Sequence, residues 1–214
     1  MESWDENGVA QTENVGEMVV TKPMPSMPVF FWGDDEKQSK YLSSYFDMYP
    51  NVWRHGDWLK ITTRGSLIIY GRSDATLNRQ GVRIGTSEIY RALDKMMELK
   101  DALIINIERP DGTDTMPLFV TLHSGFLLDE ILISKIKNNL KTEYSPRHVP
   151  DEIIEILDIP YTISGKKMET PVKKILMRQP LEKAVNFGAM KNPEAMAFFI
   201  NLAKERNFIL STHI

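Results

Sequence analysis

The run Pro160 to Lys174, "PYTISGKKMETPVKK", sets Ser164, Gly165 and Lys166 on a tight turn after the apolar, strand-like segment "PDEIIEILDI". Lys167, Lys173, Lys174 and Arg178 add more positive charge nearby, read as a solvated basic face. A glycine beside a lysine is one way to meet a phosphate: the glycine lets an anion approach the backbone and the lysine brings a compact charge. The spacing excludes a Walker A loop, which needs a glycine at position 160 and a Ser or Thr at 167, where Pro160 and Lys167 stand. "TISGK" is not a nucleophile elbow either. Taken alone, an ordinary surface turn explains the run as well as an anion site does.

Two other stretches hold groups that can do chemistry. In "WRHGDWLK", Trp53 to Lys60, a Gly-Asp pair at a strand entry offers the Asp57 carboxylate. An ionised carboxylate only accepts hydrogen bonds, and its two oxygens match the two hydroxyls of a ribose. The plain alternative is a turn aspartate closing its own loop. In "GRSDATLNRQGVRIGTSEIY", Gly71 to Tyr90, three arginines and three glycines lie between a strand and a helix. Arg83, just before the helix, is placed to meet a phosphate with two parallel bonds, and Gly81 and Gly85 permit close approach of a ligand. The plain alternative is a linker with solvated arginines. The stretch lacks the Gly-x-Gly-x-x-Gly dinucleotide fingerprint. The four histidines are scattered at 55, 123, 148 and 213 and cysteine is absent, so no zinc site, thiol catalysis or disulfide is expected, and no bound metal.

The elements that must carry these residues follow from periodicity. The chain has 214 residues, 42% hydrophobic and 26% charged, with a net charge of -3. That is a globular composition with no field to draw nucleic acid, so any anion site is local. No run is long and apolar enough for a membrane span, and the acidic amino end is not a secretion signal, so a cytoplasmic protein is expected. Up to Gly71 the reading is strand-rich: "EMVVTKP", a proline-rich connection, a helical turn or two in "KYLSSYF", and a hairpin of "DWLKITT" and "SLIIYG" around Arg64-Gly65. After Asp74 helices and strands alternate. "TSEIYRALDKMM" places Ile89, Leu93, Met96 and Met97 on one helical face with Thr86 or Ser87 as cap. "ALIINIE" and "PLFVTLH" read as strands with a turn at Asp111-Gly112. "LDEILISKIKNNLKTEY" reads as a helix with Leu132, Ile136 and Leu140 inward, and "PDEIIEILDIP" as a third strand. "NPEAMAFFINLAKERNF" reads as a last helix capped by Asn192, with Pro193 at its first position. The expected fold class is α+β.

Each motif is weak alone, but their order is not. "VVTKPMPSMPVFFW", "VWRHGDW", "GRSDATLN", "GVRIGTSEIY", "RHVPDEI", "IPYTISGKKMETPVKKI" and "NPEAMAFF" together resemble the carboxyl-terminal portion of the adenylate-forming acyl-CoA synthetases, and most closely their acetoacetyl-CoA synthetase branch. The resemblance covers nearly the whole chain. It implies a ligase that joins an acid, here acetoacetate, to AMP at the expense of ATP with Mg2+, and then passes the acyl group to coenzyme A. It implies Lys166 as the adenylation lysine, Asp57 and Arg72 at the ribose, Arg83 toward the α-phosphate or the nearby loops, and Asp74 as the hinge. Gly81 would leave room for the pantetheine arm and Lys141 would meet coenzyme A phosphates.

The resemblance also implies an organisation: residues 1–73 as the last, β-rich subdomain of a large adenylation domain, 74–180 as a mobile α+β domain, and 181–214 as a helical tail. The family's Ser/Thr/Gly-rich phosphate loop, acyl pocket and adenine-binding segments are not in this sequence. The expectation is therefore a carboxyl-terminal fragment, inactive by itself, whose partner is the amino-terminal adenylation domain. A free-standing, non-catalytic module that binds a protein partner or a nucleotide is the alternative. Calorimetry of the isolated chain with AMP and coenzyme A separates the two.

Overall fold

The computed structural model describes residues 1–208 except Asp74, Thr76, Gln80 and Gly81, and leaves the Arg83 side chain aside. Two units divide the chain, Met1–Asp74 and Ala75–Ile214.

The first unit is a five-stranded antiparallel sheet, built from β1 (Glu2–Trp4), β2 (Ala10–Gln11), β3 (Val15–Val20), β4 (Trp53–Ile61) and β5 (Leu67–Arg72) in the order β2-β1-β3-β4-β5. The β-branched run "MVV" fits the half-buried pleat of a central strand, and Met18, Val19 and Val20 are all buried. The strand does not stand alone: it pairs with β1 on one side and β4 on the other. Helix α1 (Ser39–Tyr45) lies over this sheet. Phe31, Tyr41, Tyr45 and Trp53 meet edge to face there, with ring centroids 5.5–5.8 Å apart. The last strand, β5, exposes three consecutive apolar residues, Leu67, Ile68 and Ile69.

The second unit is α+β. Strands β8 (Leu99–Ile104), β11 (Pro117–Leu122) and β12 (Glu152–Glu155) form a sheet in the order β12-β11-β8, with β11 parallel to β12 and antiparallel to β8. Successive strand residues point to opposite faces, and both faces are covered. On one face Ile104, Leu118 and Val120 pack with Ile89 and Leu93 of α2 (Thr86–Leu93) and Leu132, Ile136 and Leu140 of α3 (Glu130–Glu143). On the other, Leu103 and Phe119 pack with Val172, Ile175 and Leu176 of α4 (Glu169–Leu176) and with Met196 and Phe199 of α6 (Met196–Glu205). A short α5 (Leu181–Ala184) joins the last two. The carboxyl-terminal helix is thus part of the second unit's core.

Two small hairpins complete the unit: β6 (Leu77–Arg79) with β7 (Val82–Ile84), and β9 (Ile107–Glu108) with β10 (Asp114–Thr115). Arg79 anchors the first. Its guanidinium gives two 2.5 Å bonds to Asp151 and one of 2.9 Å to Asp114. Asp151 also accepts the Met116 amide at 2.8 Å. Partial burial pushes the Asp151 carboxyl upward, but the bonds from Arg79 and Met116 outweigh it and hold the group below its ordinary value.

Local details differ from the sequence expectation. Helix α2 stops at Leu93, so Met96 is buried beyond its end and Met97 is exposed rather than inward. Its N-cap is Gly85, without a side-chain cap bond, and Thr86 is the first helical residue. Asn192 occupies the N-cap of a 3-10 turn at Pro193–Ala195, with Pro193 following as expected, but makes no side-chain cap bond. Its amide instead donates to Ile159 O at 2.8 Å and accepts the Tyr161 N–H at 2.9 Å. An asparagine with a choice of partners takes those that satisfy buried backbone elsewhere.

Candidate functional site

In the first unit, Gly56 and Asp57 lie inside β4 and not at its entry, so Asp57 is not a turn-closing aspartate. Register shifts on both sides, against β3 near Glu17 and against β5 after Trp58, bend the strand at this point. Asp57 pairs with Arg72 across the β4–β5 ladder. Its carboxylate meets His55 Nδ1 at 2.5 Å and Arg72 Nη1 at 3.8 Å. His55 and Arg72 are exposed and Asp57 is half-buried, so the three form a polar edge open to a ligand. Beside it is a cavity of about 470 Å³ lined by Tyr45, Trp53, Arg54, His55 and Arg72 among others. Aromatic walls with guanidinium groups suit a flat, anionic molecule.

This edge is held by a residue that sequence reading passed over. Glu17 is buried, and its carboxylate accepts the Gly56 N–H at 3.1 Å and the Ser73 hydroxyl at 3.0 Å, with Arg54 Nε 3.3 Å away. A charged residue inside the apolar run "GEMVV" was the available signal, because such a residue is buried only with partners. Gly56 sits at φ +85, and a Cβ there would lie 2.9 Å from Arg72 Nη2. Arg72 can lie over the strand only because position 56 has no side chain. Gly56→Ala is expected to destabilise the first unit by about 1–2 kcal/mol from the left-handed backbone alone, and to turn Arg72 away from Asp57. Urea unfolding followed by tryptophan fluorescence measures the first effect.

In the second unit, Lys166 sits on the turn that joins Tyr161 to Lys167, two residues paired as an isolated antiparallel bridge. Four bonds close it. Thr162 N donates to Lys166 O at 2.9 Å and Gly165 N to Thr162 O at 2.8 Å. Lys166 N donates to Thr162 Oγ1 at 3.0 Å, and that hydroxyl lies 3.0 Å from Ser164 Oγ. Gly165 takes φ +80, a left-handed position glycine occupies without strain. Lys166 is exposed, and among the described residues its ammonium has no hydrogen bond or ion pair.

Lys167 is the opposite, and the expected solvated basic face is corrected there. Its Nζ reaches Asp101 Oδ1 at 2.7 Å and Ala102 O at 2.6 Å, and stands 4.0 Å over the Tyr90 ring. Lys167 is thus half-buried and engaged, while its neighbour Lys166 is exposed. Arg178 also spends its Nε on Ala203 O at 3.0 Å.

The other predicted residues divide plainly. Lys141 is exposed in the last turn of α3, where a cation also favours the helix dipole. Arg83 lies in β7 opposite Asn78, its side chain outside the described set. Asp74 and Gly81 lie outside the described residues. Asp57 and Arg72 are brought together in the first unit, and Lys166 and Lys141 are separate features of the second. No group of three or more metal-ligating side chains occurs among the described residues, and none of their helices is long and apolar enough to cross a membrane.

No protein-family model matches the chain. Curated relatives do. The chain is 44% identical over 199 residues to the acetoacetyl-coenzyme A synthetase of Rhizobium meliloti (strain 1021), covering 93% of this chain and 30% of the relative. It is 40% identical over 209 residues to the acetoacetyl-CoA synthetase of Xenopus tropicalis, covering 97% and 30%. Among solved structures, the acetoacetyl-CoA synthetase from Streptomyces lividans superposes with a TM-score of 0.87 at 50% identity, over 96% of this chain and 30% of that one. A benzoate CoA ligase from Burkholderia xenovorans LB400 superposes at 0.62 with 25% identity, over 80% and 33%. The chain spans about 30% of the length of the curated relatives it matches. In sequence and in fold, it corresponds to the carboxyl-terminal portion of the acetoacetyl-CoA synthetases, a branch of the adenylate-forming acyl-CoA synthetases.

Proposed function

We propose that this chain supplies the adenylation lysine and the ribose-binding edge of an ATP-dependent acetoacetate–CoA ligase. One observation carries the reading most directly. Of two adjacent lysines on the turn, Lys167 has its donors engaged, and Lys166 is exposed and has no partner among the described residues. An ammonium on a preformed turn is what the first half-reaction needs. The acetoacetate carboxylate attacks the α-phosphorus of ATP, the new O–P bond forms, and the bond to pyrophosphate breaks. Two anions approach each other, and a fixed cation between them offsets the repulsion and the charge that develops on phosphate oxygen.

Asp57 would accept both ribose hydroxyls, with Arg72 held over Gly56 to support the same sugar. Arg83 would face the α-phosphate. In the second half-reaction the thiol of coenzyme A displaces AMP, and Gly81 and Lys141 would serve the pantetheine arm and its phosphates. Residues 1–73 are then the last subdomain of the adenylation domain, 74–180 the lobe that turns about Asp74 between half-reactions, and 181–214 its tail. The substrate acetoacetate, ATP with Mg2+, and the amino-terminal adenylation domain are the partners this reading requires. The exposed apolar strand β5 is consistent with a further apolar neighbour, and by itself it fits a free-standing module equally.

The test uses the chain alone and a chimera in which it replaces the matching portion of the Streptomyces lividans synthetase. With acetoacetate, ATP, Mg2+ and coenzyme A, the chimera is expected to form thioester and the chain alone is not. Turnover by the isolated chain would overturn the fragment reading, and micromolar AMP or coenzyme A binding to it would favour the module.

A further inference from the structure

Asp101, on strand β8, grips both ends of the turn that carries Lys166. Its Oδ1 accepts from Lys167 Nζ at 2.7 Å and its Oδ2 from the Tyr161 hydroxyl at 2.6 Å. Tyr161 and Lys167 are the two residues that pair across the base of the turn. One carboxylate therefore closes a ring through both of its feet. The carboxylate is itself fixed, because Oδ1 also accepts the Ala102 N–H at 2.8 Å.

Lys167 extends the grip. Its second bond goes to Ala102 O, and the face of Tyr90 lies beneath it. The Tyr90 hydroxyl donates to Glu169 at 2.9 Å and accepts the Ile104 N–H at 3.2 Å. So the turn is tied to β8 at Asp101, Ala102 and Ile104, and to the first residue of α4. On its far side it is tied to the 186–192 loop, through Ile163 N to Ala189 O and Lys191 N to Tyr161 O, both 2.9 Å. A plain surface turn needs no such set of half-buried charge-assisted bonds, which cost desolvation unless each partner is in place.

We propose that Asp101 and Lys167 are positioning residues, whose ion pair, with Tyr161, fixes the turn so that Lys166 is presented rigidly for the adenylation step. This rests on the reading of Lys166 given above. The first test needs no activity. In the 214-residue chain carrying Lys167→Met, amide hydrogen exchange at Thr162, Gly165 and Lys166 is expected to quicken about tenfold or more. Exchange at Leu103 and Val120, in the sheet, should stay as in the wild type, which shows that the unit is still folded. Lys167→Arg, which keeps a cation for Asp101, should restore most of the protection. Unchanged exchange at the turn overturns the proposal.

The second test uses the chimera. Lys167→Met should lower kcat for acetoacetate-dependent ATP–pyrophosphate exchange about tenfold with little change in KM for ATP. Thioester formation from preformed acyl-adenylate and coenzyme A should be unaffected. Equal loss in both half-reactions means a merely structural role and overturns the proposal, as does no loss in either. Full exchange activity in Lys166→Ala would instead retire the reading of Lys166, and the amide measurement then decides the clamp by itself.

Discussion

Lys166→Ala in the chimera lowers the rate of acyl-adenylate formation by about 10²–10³-fold, the loss expected when one preorganised charge donor is taken from a transition state. The measurement is acetoacetate-dependent ATP–pyrophosphate exchange. Binding of ATP changes little, because the charge that Lys166 offsets develops only as carboxylate and phosphate approach. Thioester formation from preformed adenylate continues near the wild-type rate, since no anion attacks an anion in that step. Lys166→Gln, which keeps length and removes charge, should behave as Lys166→Ala does. If either variant keeps exchange within a fewfold of wild type, the outward lysine is a solvated turn residue and the functional reading fails. The substitution carries little risk to the fold, because the side chain is exposed and the four bonds that close the turn involve backbone, Thr162 and Ser164.

The second large effect is on stability. Phe199→Ala should destabilise the second unit by about 3–5 kcal/mol, the usual cost of emptying a fully buried aromatic site. Phe199 is fully buried, with its ring 4.8 Å from Phe119 and 5.4 Å from Phe198, both edge to face. Phe119 is the middle of the central strand β11, so the last helix is held by the core of the sheet itself. Urea unfolding should show the loss as a lower midpoint in the transition of the second unit. A change under about 1 kcal/mol would mean that α6 is a dispensable appendage. Because Lys191 and Asn192, just before α6, bond the Lys166 turn at Tyr161, loosening this helix should also speed amide exchange at the turn.

Much of the second unit was legible from periodicity. Leu132, Ile136 and Leu140 recur at helical spacing and are the buried stripe of α3, with Asp129 as its cap. The strand period in "PLFVTL" sends Leu118 and Val120 to one helical layer and Phe119 to the other. Helix ends were less legible. Nothing local separates Met96 from Met97, yet one is buried and the other exposed, because the chain leaves the helix after Leu93 and packing against β8 decides.

The site shows the same division. The family resemblance carried by the order of the motifs pointed to Asp57, Arg72 and Lys166, since side-chain chemistry and spacing are properties of the chain. The sequence by itself also excluded a Walker loop, thiol chemistry and a clustered metal site. It could not tell which of two neighbouring lysines is left exposed and which is held. That depends on Asp101, Ala102 and Tyr90, far away in sequence and joined to the turn only when the sheet forms. The buried Glu17 is of the same kind: its partners Gly56 and Ser73 come to it across two strand pairings. Local composition sets what a residue can do. Long-range packing, through desolvation and partner geometry, settles which residues remain free to do it.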